Sequence, residues 1–171
     1  MPRTAAQGIA FLLGLAFVLW LSPLVVHVSN AENDPSAFSA LEAALHAQVN
    51  GLRTSKTLIP LERRPELDRV ALEHSRDMAR RGYIAHESPE GLNPLQRIQG
   101  AGIAGFTLAA ENIGRTGPIS DPSREITNAW LVSPLHRENL LAPPFNATGI
   151  GVARAPDGAL LYTQIYVSWP R

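Results

Sequence analysis

An apolar run from Gly8 to Val28, broken only by Ser22, Pro23 and His27, divides this chain before any fold can be considered. Arg3 and the amino terminus precede it, and Ser29-Asn30-Ala31 follows, with small residues at the minus-three and minus-one positions of a signal-peptidase site. The run is longer than the ~7–15 residues usual for an export signal and approaches the ~20 that span a bilayer. Residues 1–31 therefore read as a signal peptide cut between Ala31 and Glu32 or, uncleaved, as an N-terminal anchor over residues 8–28. Either way the folding unit is residues 32–171, one domain long enough to build a core without cross-links.

The rest of the composition narrows the chemistry. The sequence has no cysteine, which removes disulfides, thiolate metal sites and thiol nucleophiles, lipoprotein anchoring included. Lys plus Arg and Asp plus Glu number 15 each, and Lys56 is the only lysine. A balanced chain lacks the clustered positive footprint of a nucleic-acid binder. Any site must be built from His, Glu, Asp, Ser, Tyr, Asn and Gln.

Periodicity predicts helices in the first two-thirds. Phe38, Leu41, Ala44, Leu45, Val49 and Leu52 recur at spacings of three and four, giving a helix over 36–53 started by Asp34-Pro35 or Ser36. A second helix follows Pro65, with Leu67, Val70, Ala71, His74, Ser75 and Met78 on one face, and Gly82 closes it. A turn-rich loop over 85–91 leads to a short helix over 94–99, and Leu108 to Ile113 reads as strand or extended chain. Asp121-Pro122-Ser123 caps a helix through Trp130 and Leu131, and Ser133-Pro134 restarts helical turns to Leu141. Strands over 148–153 and 160–169 flank Ala155-Pro156-Asp157-Gly158, a hairpin signal. In the last strand Leu161, Thr163, Ile165 and Val167 face one way and Leu160, Tyr162, Gln164 and Tyr166 the other, so both faces are covered. The pattern is an α+β layered domain.

Among the histidines, His46 lies near the polar boundary of the first helix, where a surface role is the commoner explanation, and His74 shares an apolar face. His86 and His136 stand at loop or helix boundaries beside small polar residues, where a scaffold presents side chains to a cleft. Glu111 is a carboxylate within a small, apolar extended run, and burial there requires a partner, either backbone, a histidine or a metal. His86-Glu87-Ser88-Pro89-Glu90 lacks the second histidine and the helix of a zincin motif, and neither a nucleophile elbow nor a phosphate-cradling loop is present.

Four segments in order carry a resemblance: Tyr83 to Gly91, Ala110-Glu111-Asn112-Ile113, Trp130 to Leu141, and Thr148-Gly149-Ile150-Gly151-Val152 with Leu161-Tyr162-Thr163-Gln164. The chain resembles the CAP superfamily, the SCP-like group of cysteine-rich secretory, antigen 5 and pathogenesis-related 1 proteins, in its bacterial, cysteine-free branch. The resemblance implies an α–β–α sandwich with a central antiparallel sheet, export from the cell, and a cleft whose two histidines and two glutamates hold a divalent ion. His86 and Glu111 match the first histidine and the glutamate of the Glu-Asn pair. Ser133 stands near the second glutamate's place and Leu161 at the second histidine's, so the tetrad carries over only in part.

His136 is then the candidate to return a second imidazole, with Tyr162 and Gln164 lining or supporting the same region. His86, Glu111 and His136 would offer three ligands to zinc or another divalent cation and leave one position for water. The leading expectation is an exported binding module for a divalent cation, lipid or peptide. The alternative is a hydrolase of peptide or cell-wall material, with His86 as general base, Glu111 orienting it, and Ser88 or metal-bound water as nucleophile. A third reading makes His86, Glu111 and His136 a structural polar network. The place of action is secreted or periplasmic, and a membrane enters only through an uncleaved N-terminal segment.

Overall fold

The structure, a computed structural model, describes residues 35–170, so the expected signal or anchor lies outside the described residues. Helix α1 (Pro35–Ser55) leads to a two-residue strand β1 (Glu62–Arg63), then α2 (Pro65–Arg81) and α3 (Pro94–Gly100). Strand β2 (Leu108–Thr116), helices α4 (Pro122–Val132) and α5 (Pro134–Leu141), and the hairpin β3 (Ala147–Arg154) and β4 (Leu160–Ser168) complete it. The sheet order is β1-β3-β4-β2, antiparallel except for the parallel β1–β3 pair. Helices α2 and α3 cover one face and α1, α4 and α5 the other, the α–β–α sandwich that the resemblance implies.

Alternation along the strands assigns the two cores. Ile150, Val152, Leu160, Tyr162 and Tyr166 pack with Leu45, Val49, Trp130 and Leu140 of the α1, α4 and α5 layer. Ala147, Ile165 and Val167 pack with Leu67, Val70 and Ala71 of α2 and Ile98 of α3. The odd and even residues of β4 thus divide as its pattern predicts. Helix α2 sits directly on β3 because Gly149 and Gly151 lack side chains. A Cβ at Gly149 would overlap the backbone of Leu67, and one at Gly151 the backbone of Leu72.

Two elements depart from the sequence expectation. Strand β2 continues past Ile113 through Gly114, Arg115 and Thr116, because Gly114 leaves the space that Ile126 and Trp130 fill from α4. Strand β1 has no apolar signal at all. It is held from outside, by Glu62 N–H donating to the Asn146 carbonyl and Arg64 N–H to that of Thr148, each 2.9 Å. His46, expected on the surface, is partly buried instead and bonds the Leu61 carbonyl through Nε2 at 2.9 Å.

Candidate functional site

The site is assembled where α2 ends. Gly82 adopts the left-handed conformation (φ 71°) and its N–H donates to the Met78 carbonyl, which turns the chain out of the helix. His74, buried on α2, bonds the Ala85 carbonyl through Nε2 at 3.0 Å and fixes the chain one residue before His86. Burial is the main cause that lowers the His74 pKa below its ordinary 6.5. Beyond His86, the Leu92 N–H donates to Ser88 Oγ at 3.2 Å and the Gly91 N–H to the Ser88 carbonyl at 2.8 Å. Asn93 and Gln96 then form a reciprocal capping box around Pro94, which starts α3 at once.

This short helix presents Arg97 back toward the loop and the sheet. Its guanidinium donates to the carbonyls of His86 and Leu92, each 2.8 Å, and to Glu111 Oε2 at 2.6 Å. The other carboxylate oxygen of Glu111 accepts from His86 Nδ1 at 2.9 Å. The Glu111 side chain is 1% exposed, Arg97 10% and His86 52%. A buried carboxylate is thus compensated on both oxygens, and a half-exposed imidazole is held by one nitrogen. Because a carboxylate accepts, Nδ1 carries a proton, and in the neutral ring Nε2 is then the nitrogen with the lone pair.

Asn112, the next residue on β2, points to the opposite face. Its amide donates to the His136 carbonyl at 3.0 Å and to the Tyr166 hydroxyl at 3.2 Å, and its oxygen accepts from Asn139 at 2.9 Å. Adjacent side chains of one edge strand therefore lock the His86 loop on one face and α5 on the other. Ser133 begins α5 without capping it. Its hydroxyl pairs instead with His136 Nδ1 at 2.9 Å. Burial is the main cause that lowers the His136 pKa from its usual value, and protonation of His86 would lower it further.

This His–Glu pair beside a Glu-Asn strand lies in the region matched by a sequence profile of the CAP domain, the cysteine-rich secretory protein family, over residues 46–166. The chain belongs to the CAP family. The uncharacterised protein YkwD of Bacillus subtilis (strain 168) is 30% identical over 133 residues, covering 78% of this chain and 49% of that protein. The chain thus spans about half the length of that relative. An extracellular protein containing an SCP domain from Bacillus anthracis strain Ames has a similar structure, with a TM-score of 0.67 and 30% identity over 77% of this chain and 41% of its own. An outer surface protein of Borrelia burgdorferi gives a TM-score of 0.69 at 24% identity, over 77% of this chain and 94% of its own, which bears on the fold alone.

Within this CAP domain the expected site residues separate. His86 and Glu111 are in direct contact, and His136 stands across the edge of β2 from them, engaged with Ser133. Gln164 is fully buried on the far face, where it bonds Thr148 at 3.1 Å and accepts from the Tyr166 hydroxyl at 2.8 Å. It supports the strand behind the site and lines no surface. Tyr162 is fully buried too, beside Thr116 and Ser123, where burial pushes its phenol up to about 12. Ser88 spends its hydroxyl on the loop turn.

Sequence reasoning missed Arg97, the cation that makes a buried Glu111 tolerable. Its signal was indirect: a carboxylate in an apolar run demands a partner, and Arg97 is the only cation of α3. The place of the second family glutamate goes to Ser133, which turns toward His136 rather than toward the Glu111 side. Among the described residues no three His, Asp or Glu side chains come together as a metal-holding group.

Proposed function

We propose that this chain is an exported CAP domain that binds a peptide segment at the His86 cleft. One observation carries the reading: Glu111, gripped by Arg97, holds His86 by Nδ1 and leaves Nε2 exposed as a fixed hydrogen-bond acceptor. Such an acceptor suits an N–H or O–H donor on the ligand. A network serving stability alone has no need of an imidazole that is 52% exposed. Export is supported by the N-terminal apolar run and by the extracellular SCP-domain relative. No helix among the described residues is long and apolar enough to cross a membrane.

Zinc or another divalent cation is the group that the family resemblance implies. Both Glu111 oxygens are committed to Arg97 and His86, His136 Nδ1 is engaged with Ser133, and among the described residues no three His, Asp or Glu side chains come together to hold a cation. That donor set does not fit a resident zinc, which takes three protein ligands in an open site and four in a closed one. The second reading, hydrolysis, is favoured by the same dyad, since an imidazole oriented by a buried carboxylate is the arrangement of a general base. Its nucleophile would be water, because Ser88 is occupied in its own turn.

The test is the melting temperature of the full chain with a panel of short peptides, with zinc, and with a dispersed short-chain lipid, each beside His86→Ala. A ligand that binds only the folded state raises the melting temperature by mass action. Stabilisation by peptides that vanishes in His86→Ala is the expected result. Stabilisation by zinc or lipid alone would replace the peptide, cleavage of the panel lost in His86→Ala would install the hydrolase, and responses unchanged in the variant would remove the cleft from the account.

A further inference from the structure

The polar end of the β3–β4 hairpin carries a second concavity, formed by other elements than the His86 cleft. It encloses about 580 Å³ between the start of α1, the outer face of α2 and the strand ends, and Arg76, Arg80 and Arg154 line it together with Phe38. No acidic side chain is among its described lining residues. In a chain whose charges balance, three guanidiniums around one hollow are a local excess, and in a concave site their fields add.

Each arginine is available to a different degree. Arg154 stacks over the Phe38 ring at 5.9 Å, and its Nη1 donates to the Gly158 carbonyl at 3.2 Å. Its Nε–H is buried and has no hydrogen-bond partner among the described residues. A buried donor left unmade is costly, and a small turn of the Arg154 side chain toward the hollow would let a ligand oxygen satisfy it. Arg76 stands exposed on α2. Arg80, 73% exposed, contacts Asp77 at 2.5 Å, a carboxylate that also accepts from Arg81 and from the Tyr83 hydroxyl. Asp77 can therefore release Arg80 to a competing anion and keep two other donors.

We propose that this arginine-lined pocket binds a phosphate group, with Arg154 and Arg76 as its principal contacts and Arg80 recruited from Asp77. Guanidinium forks match the tetrahedral oxyanion in geometry and charge. The phosphate belongs either to a lipid headgroup or to a free small anion. The position of Phe38 makes the first source reachable: the apolar run ends at Val28, ten residues earlier, and ten residues extend at most about 35 Å. The proposal is independent of the peptide reading, since the pocket shares no lining residue with the His86–Glu111–Arg97 group.

The experiment titrates the full chain, held in a non-ionic detergent, with inorganic phosphate and with dihexanoyl-phosphatidylglycerol, dihexanoylglycerol serving as the same lipid without its phosphate. The readout is the amide and arginine side-chain NMR signals of Arg76 and Arg154. Saturable shifts are expected, weakened about tenfold or more in Arg154→Gln and again in Arg76→Gln, with both variants melting as the parent does in chloride. Tighter binding of phosphatidylglycerol than of phosphate assigns the headgroup, and the reverse order assigns the free anion. Arg154→Lys keeps the charge but not the fork, so partial rescue is expected there. Linear, unsaturable shifts, equal affinity in parent and Arg154→Gln, or equal binding of both lipids with none of phosphate would each overturn the proposal.

Discussion

The α2–β3 junction and the outer edge of β2 hold the same sheet by opposite means. At the junction, Gly149 and Gly151 let a helix backbone lie against a strand backbone, and Leu67, Ala71 and Ile165 close the gap with apolar contact. At the β2 edge, Glu111 and Asn112 hold the neighbouring segments through directed hydrogen bonds to Arg97, His86, His136 and Asn139. The junction tolerates almost no change in volume and carries no exposed chemistry. The edge tolerates polar exposure because its buried charge is compensated on both oxygens, and it is there that a half-exposed imidazole is offered to solvent. Rigidity in this domain is supplied by packing on one side of the sheet's centre and by polar wiring at its rim.

The sharpest break between the two regions comes from Gly151→Val. The added side chain has no room against the backbone of α2, so a loss of more than about 3 kcal/mol is expected in denaturant unfolding. At the edge, Arg97→Met leaves a buried carboxylate with the His86 Nδ1–H as its remaining side-chain partner, and a loss of about 2 kcal/mol is expected. Adding Glu111→Met to that variant should recover part of the loss, because the charge that needs compensation is gone. A double variant no more stable than Arg97→Met would assign the cost to lost packing of the arginine stem instead.

A pH titration sharpens the comparison further. His74 and His136 both have pKa values lowered in the folded state, in each case chiefly by burial, so the folded protein binds fewer protons than the unfolded chain just below the ordinary histidine value of 6.5. Their contribution to stability is fully present above that value and is lost as the pH falls through the lowered folded pKa values. His74→Gln, which can still donate to the Ala85 carbonyl, should flatten this acid slope without moving the neutral-pH stability far. An unchanged slope would mean that carboxylates alone set it. The smallest effect on stability, less than about 0.5 kcal/mol, is expected for His86→Ala, because the ring is half exposed and Glu111 keeps Arg97. Peptide binding, in contrast, should be abolished.

How much of this was legible in the sequence differs between the same two regions. The helices, the hairpin and the two faces of β4 follow from spacing, since each buries a continuous apolar stripe or alternation. His86 and Glu111 stood out as polar groups in places that demand partners, and they are partners of one another. Arg97 was hidden because an arginine in a short helix reads as surface, and only the fold brings α3 over β2. Alternation puts Tyr162 and Gln164 on one face of β4, but burial is a property of the covering helices, so their complete burial does not follow from alternation. Strand β1 has no sequence signal because a two-residue parallel edge is fixed by its neighbour's hydrogen-bonding groups and not by its own side chains.

The buried Glu111 holds His86 by Nδ1, which in the neutral ring fixes one tautomer and leaves the Nε2 lone pair for a ligand donor. Nitrogen-15 NMR of the histidine side chains reads this directly, at about pH 8 where an ordinary imidazole is neutral. The expected result is a His86 ring protonated at Nδ1 and bare at Nε2 in the parent chain, with the preference lost in Glu111→Ala. A ring protonated at Nε2, or a tautomer mixture that Glu111→Ala leaves unchanged, would contradict it.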